Sequence, residues 1–318
     1  MEISVVVPTF NRRETVTRTL ATLFAQDASP ASYEMIVVVD GSTDGTGEAL
    51  RAIQPACRFR VIEQDNQGPS AARNTGFRSA ETELVLFLDD DMLCDPRLIS
   101  AHIAAHRAGG RMVGFGALFL SADSPRTLAA ECFHREIGAL HLQRRRNSAT
   151  PWHAGDCVFS NSSLPRALLE EIGGFDEQFR MREDLELGIR LFAAGVVPRY
   201  IDEAIAYQYY DKTAADLIHD AEAFAPADVL LARKHPTETT VAAVSRLAMD
   251  PHWKQTLRRF AARSPATADR FLSPFCSLGE AFLGVPILRS IGARALQMRR
   301  RIHWLHKVNE LSARSSET

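Results

Sequence analysis

Four apolar runs, Ile3–Val7, Met35–Val39, Phe59–Ile62 and Leu84–Leu88, are separated by stretches in which apolar residues recur at three- and four-residue steps. Short β-branched runs without polar alternation predict strands covered on both faces, and the spacing between them predicts the covering helices. Val16, Leu20, Leu23 and Phe24 form the stripe of the first such helix, and the segment from Pro69 through Ala71, Ala72 and Phe77 forms another. This alternation implies crossover units and a mostly parallel sheet, so the first 110 residues read as α/β.

From about Arg111 the alternation weakens. Strand-like stretches are expected near Val113–Leu120 and Asp156–Ser160, and a helix from Pro165 to Ile172. After the turn at Gly173-Gly174 a helix is expected from about Glu183, with Leu185, Ile189 and Phe192 as its buried stripe and Gly195 at its end. Beyond Thr213 the chain turns helical and alanine-rich. The reading is one α/β domain over 1–212, divided into 1–110 and 111–212, followed by a helical C-terminal extension over 213–318.

Composition narrows the function. The 318 residues carry 46% hydrophobic content and a net charge of −2, which gives no global field for a nucleic-acid partner. The five cysteines are widely spaced without a CxxC pair, which argues against a disulfide framework or a zinc site and for a reducing compartment. No basic-then-apolar leader opens the sequence, and no window of about 18 apolar residues interrupts it. A cytoplasmic location is expected.

In open parallel sheets ligands sit beyond the carboxyl ends of the strands, and here those ends carry Pro8-Thr9, Asp40-Gly41-Ser42 and Asp89-Asp90-Asp91. Three adjacent carboxylates repel and raise each other's pKa unless a cation or hydrogen-bond donors hold them ionised. Magnesium or manganese suits such oxygen ligands, and magnesium keeps few protein carboxylates while substrate phosphates and water complete its shell. The alternative is a solvated acidic loop ahead of a helix start at Asp95-Pro96.

Five motifs occur in order: Val5-Val6-Val7-Pro8-Thr9-Phe10-Asn11-Arg12; Asp40-Gly41-Ser42-Thr43-Asp44-Gly45-Thr46; Ala72-Arg73-Asn74-Thr75-Gly76; the aspartate triple; and Gly173-Gly174-Phe175-Asp176-Glu177 followed by Glu183-Asp184. On these motifs the chain resembles the family-two glycosyltransferases of the GT-A fold over roughly residues 1–210. The resemblance implies a nucleotide-binding sheet flanked by helices. It further implies inverting transfer of a sugar from a nucleotide diphosphate to an acceptor hydroxyl, with Mn2+ or Mg2+ as cofactor.

Carried onto this sequence, the resemblance implies that Pro8, Thr9, Asn11, Asp40 and Gly68 contribute to the donor site, with Thr9 and Asp40 facing the base. Asp40 could accept the imide hydrogen of uracil or thymine, which makes UDP-sugar the leading donor class and dTDP-sugar the next. A turn-forming role for Asp40 is the alternative. Val39 stands where many relatives carry a second aspartate. Arg73 could clamp a phosphate or the nucleoside, or pair with the aspartates. The family pattern gives Asp90 the ribose hydroxyls and Asp91 the metal, with Asp89 orienting its neighbours or taking the place of Asp90.

Of the acidic pair, Asp184 is implied as the catalytic base and Glu183 as a supporting acceptor contact. A simple complement to a helix dipole is the bland alternative. Many relatives place a histidine shortly after this pair. The matching stretch here is Ala206-Tyr207-Gln208-Tyr209-Tyr210, so Gln208 or Tyr210 is the candidate substitute.

His102 and His106 have helical spacing but lack the glutamate of a zinc protease motif, and are expected to pack. Trp152 is expected either to stack on an acceptor sugar or to fill the core. Between Arg289 and Lys307 six basic residues and no acid surround a stripe of Ile291, Ala295, Met298, Ile302 and Leu305. Such a helix could touch the inner face of an anionic membrane, fitting a lipid-linked acceptor or a polysaccharide precursor, or pack on its own domain or on a second copy of the chain. The rival functions are a sugar nucleotidyltransferase, whose glycine-rich basic N-terminal loop Pro8–Arg12 does not supply, and a non-catalytic nucleotide-sugar-binding scaffold.

Overall fold

The computed structural model describes residues 1–146, 151–237 and 260–315. The chain divides into two compact units, one of Met1–Asp123 with Ile137–Tyr209, the other of Ser124–Glu136 with Tyr210–Thr318.

The first unit is built on strands β1 (Ile3–Thr9), β2 (Tyr33–Asp40), β3 (Arg58–Gln64), β4 (Leu84–Leu88), β5 (Met92–Cys94), β6 (Met112–Leu120), β7 (Asn161–Pro165) and β8 (Val197–Gln208). They form one sheet in the order β3-β2-β1-β4-β7-β6-β8-β5. The four strands predicted from apolar runs are mutually parallel. Every residue of β2 and β4 is buried, as strands covered on both faces require.

The second half of the sheet departs from the expected pattern. β7 runs antiparallel to both β4 and β6, and β8 runs parallel to β6 but antiparallel to β5. The expected strand at Asp156–Ser160 is instead a 3-10 turn, Ala154–Asp156, and an irregular segment whose Cys157 and Phe159 plug the core. The strand starts only at Asn161.

Helices α1 (Arg13–Phe24), α2 (Thr46–Arg51), α3 (Pro69–Ser79) and α4 (Leu98–His106) connect the early strands. α3 starts with Pro69 after Gly68 at φ 95°, and its Gly76 lies so close to β1 that a Cβ would come 2.2 Å from a methyl of Val6. Helices α7 (Arg166–Ile172) and α8 (Glu183–Ala193) cover the later strands. The buried face of α8 is Glu186, Leu187, Gly188, Ile189 and Leu191, rotated from the expected stripe: of Leu185, Ile189 and Phe192 only Ile189 is fully covered. Phe87, Phe159 and Phe175 meet edge to face, with centroids 5.1–6.4 Å apart, and join β4 to the segments before β7 and α8.

The second unit contains α5 (Leu128–Phe133), α9 (Ala214–Lys234), α10 (Pro265–Ala281) and α11 (Pro286–Ser315). α9 begins at a capping box, in which Thr213 and Asp216 satisfy each other's backbone N–H groups. The stripe offered either to a membrane or to its own domain is only partly covered, and Ile291 is exposed. Ala295 and Ile302 are buried, and α11 lies against α9 and α10. Arg299 donates to Asp269, and Trp304 donates to Asp228 at 2.8 Å. No described helix is long and apolar enough to cross a membrane.

Candidate active site

The turns after β1 and β2 are laced together by side chains that the sequence offered as donor contacts. Asn11 sits at φ 52°, a conformation asparagine tolerates. Its Oδ1 accepts from Thr43 N at 2.7 Å, while its own N–H donates to Ser42 Oγ. Asp40 is buried and accepts from Gln64 Nε2, Gln67 N and Gly68 N at 2.8–2.9 Å. The turn-forming role is therefore real, and of a carboxylate's roughly four lone-pair positions it leaves one. Pro8 lies in β1 beside Val38. Thr9, expected to face a base, donates its hydroxyl to Asp90 Oδ2 at 2.7 Å.

Of the three aspartates, Asp89 has a partner of its own, while Asp90 and Asp91 share Arg12. Asp89 pairs with Arg73 at 2.8 Å. Asp90 accepts from Thr9 and from Arg12 at 3.0 Å, so its carboxylate is turned into the scaffold. Asp91 Oδ2 accepts from Arg12 at 3.3 Å and from Gln208 Nε2 at 3.1 Å. Its Oδ1 is buried with no partner among the described residues. Burial raises Asp90 to about 6 against the pull of Arg12 and Thr9. Asp91 rises to about 7, from burial first and the charge of Asp89 second, with Arg12 opposing.

Of the two candidate substitutes for the relatives' histidine, Gln208 donates to Asp91, whereas Tyr210 stacks on Phe133 at 4.6 Å in the second unit. Arg12 is the residue that motif reading missed. It follows the Pro-Thr-Phe-Asn turn directly, but its contact with two aspartates appears only once β1 and β4 are neighbours.

At the other motif, Arg182 takes the left-handed conformation at φ 67° and launches α8, so Glu183 and Asp184 stand in its first turn. Asp184 Oδ2 accepts from Phe159 N at 3.1 Å, and its Oδ1 is buried without a partner among the described residues. Its pKa is pushed up to about 8 by burial and then by the charge of Glu183, with Arg73 opposing and Asp89 adding to the rise.

Arg73 joins the two motifs. Its Nη1 donates to Glu183 and its Nη2 to Asp89, both at 2.8 Å, from a side chain only 5% exposed. Burial disfavours its charge, but Asp89, Asp184 and Glu183 outweigh that and hold it protonated. Of the two readings open for Arg73, pairing with the carboxylates is the one observed. Asp91 and Asp184 are thus two carboxylates with raised pKa values, each with one buried oxygen that no described residue satisfies.

The other candidates are structural. His102 is fully buried between Ser163 and Asn161, and His106 also meets Ser163. Burial lowers both to about 4. Trp152 stacks on Phe115 at 5.1 Å, with the Arg144 guanidinium 4.0 Å over its ring.

Comparison with known proteins agrees with this geometry. The chain is 33% identical over 222 residues to validoxylamine A glucosyltransferase of Streptomyces hygroscopicus subsp. limoneus, which covers 61% of this chain and 48% of that protein. It is 35% identical over 101 residues to the poly(ribitol-phosphate) beta-N-acetylglucosaminyltransferase TarP of Staphylococcus aureus (strain N315), 31% of each chain. The chain spans about half the length or less of these curated relatives.

Among solved structures, the mannosyltransferase PcManGT of Pyrobaculum calidifontis, in complex with GDP-Man and Mn2+, superposes with a TM-score of 0.63 at 18% identity, over 94% of this chain and 85% of that one. S. aureus TarS 1-349 in complex with UDP gives 0.56 at 17% identity, over 98% and 92%. These likenesses carry the fold, which is that of GT-A glycosyltransferases. The model of glycosyl transferase family 2 matches residues 4–173, more than half of the chain, and the chain belongs to that family.

Proposed function

We propose that this chain transfers a sugar from a nucleotide diphosphate donor to an acceptor hydroxyl with inversion at the anomeric carbon, UDP-sugar being favoured and dTDP-sugar next. One observation carries the reading. Asp91 and Asp184, which the sequence motifs mark for cation and base, each keep a buried oxygen without a partner among the described residues. Leaving a buried carboxylate oxygen unsatisfied costs stability, and such sites are kept for a ligand or a reaction.

Asp184 is the base. Its carboxylate removes the proton of the acceptor hydroxyl as the oxygen attacks, and a pKa near 8 suits it to hold that proton and then return it to solvent. Glu183 keeps that pKa high, and a salt bridge to Arg73 fixes Glu183 next to the base in the chain. Phe159 N fixes the other oxygen of Asp184.

The unsatisfied Asp91 oxygen fits a Mg2+ or Mn2+ ion, with Gln208 steadying the other oxygen of the same carboxylate. Among the described residues no three His, Cys, Asp or Glu side chains gather into a closed cage, which suits a cation whose remaining ligands come from phosphate and water. When bound, such an ion would offset the negative charge that grows on the departing diphosphate. The solved neighbours' complexes with UDP, UDP-GlcNAc and GDP-Man with Mn2+ support a nucleotide-sugar donor.

The test is a thermal-shift titration with UDP, dTDP, GDP and CDP, each with and without Mn2+. Ligands of the native state raise its apparent stability. A manganese-dependent rise with one nucleotide, UDP expected first, supports the reading. No rise with any of them contradicts it and favours the scaffold.

A further inference from the structure

The helical unit carries a second surface that the transfer chemistry does not use. On α10, Phe271, Phe275 and Leu278 are exposed at four- and three-residue steps, and Phe282 continues the same stripe beyond its end. On α11, Ile287 and Ile291 are exposed one turn apart. Phe271 and Ile287 are 71% and 67% exposed, values unusual for side chains of this size.

The two stripes lie on one face. α10 and α11 cross at Gly279 and Gly292, where a Cβ on Gly279 would come 2.6 Å from the Gly292 Cα. Counting roughly 100° per residue from that contact, the α10 stripe lies about 70° to one side. Because α11 runs back antiparallel, Ile287 and Ile291 fall to the same side. The same count puts Arg270 at the outer edge of α10 and Arg294 at the outer edge of α11, and both are exposed. The acids fall on the opposite face and are engaged: Asp269 accepts from Arg299 and Glu280 from Leu128 N. From Phe260 to Val308 the sequence has eight Arg and Lys against two acids, although the whole chain is at −2.

We infer that this hairpin face docks on an anionic lipid surface, with Phe271, Phe275, Phe282 and Ile287 entering the headgroup boundary and Arg270 and Arg294 meeting lipid phosphates. An apolar strip rimmed by arginine and free of acid is complementary to such a surface. It is poorly complementary to itself, since a twofold pairing would bring arginine rims together without a counter-charge. The inference is independent of the donor chemistry proposed above, and it centres the contact on the α10–α11 corner, where Ile291 and Arg294 of the basic helix take part.

The experiment is co-sedimentation of the full chain with vesicles of phosphatidylcholine alone or with phosphatidylglycerol as about a third of the lipid. Binding is expected to the anionic vesicles only and to weaken with added salt. Phe271→Ser with Ile287→Ser, and separately Arg270→Glu with Arg294→Glu, should each lower the partition coefficient at least ~10-fold while circular dichroism stays unchanged. These side chains are among the most exposed of the unit, so the fold does not depend on them.

Binding retained by both pairs overturns the inference. So does absence of binding by the unaltered chain. In that case light scattering tests for a second copy: a dimer dispersed by the Phe271/Ile287 pair assigns the face to it, and a monomer excludes it.

Discussion

Asp91 and Asp184, 93 positions apart in sequence, both have a pKa raised by burial and by the charge of Asp89, and both retain one buried oxygen that no described residue satisfies. The two are held from separate sides of one carboxylate. β4 delivers Asp89 and Asp91, α8 delivers Asp184, and Arg73 on α3 spans from Asp89 to Glu183. A family motif on its own names these positions; the charge of Asp89 links them electrostatically.

Activity should follow the ionisation of Asp184. Its raised pKa means that the carboxylate form grows as pH rises toward about 8, so kcat/KM should climb through that range rather than level off above pH 5. Glu183→Gln removes a negative neighbour that raises this pKa, so the acidic limb of the profile should move to lower pH. A limb that stays in place in this variant would separate Glu183 from the base.

Arg73→Met tests the salt bridge as structure. It leaves Glu183, 13% exposed, and the more open Asp89 without their shared cation. Removing one partner of a buried pair costs about 3–5 kcal/mol, and the partial exposure of Asp89 places the expectation near the lower end. Urea unfolding monitored by circular dichroism measures the loss, and a change under about 1 kcal/mol would assign Arg73 to ligand contact alone.

Gly76→Ala tests the packing beneath the site. The new methyl would sit 2.2 Å from a Val6 methyl, and overpacking of this kind costs about 1–3 kcal/mol. Because Arg73 lies one turn earlier on the same helix, the variant should also weaken donor binding. Unaltered stability in urea would mean that α3 stands off β1 freely.

The legible part of the fold was the part buried on both faces. β2 and β4 read directly because nothing polar interrupts their apolar runs, and β1 and β3 read through the single polar residues Ser4 and Arg60. β8 was invisible, since its twelve residues alternate exposed and covered positions around Arg199, Asp202 and Glu203, and β5 has only three residues. The covered face of α8 departs from the expected stripe at an acid, Glu186. It is buried in a pair with Arg190, which rotates the covered face. At the site, acids could be found from motifs, but the hydrogen bonds that Thr9, Asn11 and Asp40 make depend on three separate loops meeting, which no local pattern records.

The account stands most directly on a comparison of Asp91→Asn with Asp184→Asn, using the donor selected by the nucleotide panel and measuring both calorimetric binding with Mn2+ and release of the nucleoside diphosphate. Asp184→Asn keeps the acceptor oxygen for Phe159 N, so it should bind donor within about twofold of the unaltered chain and turn it over at least ~100-fold more slowly. Asp91→Asn should lose the manganese-dependent part of binding itself. Turnover by Asp184→Asn at the unaltered rate, or manganese-dependent binding that survives in Asp91→Asn, would contradict the assignment of base and cation site.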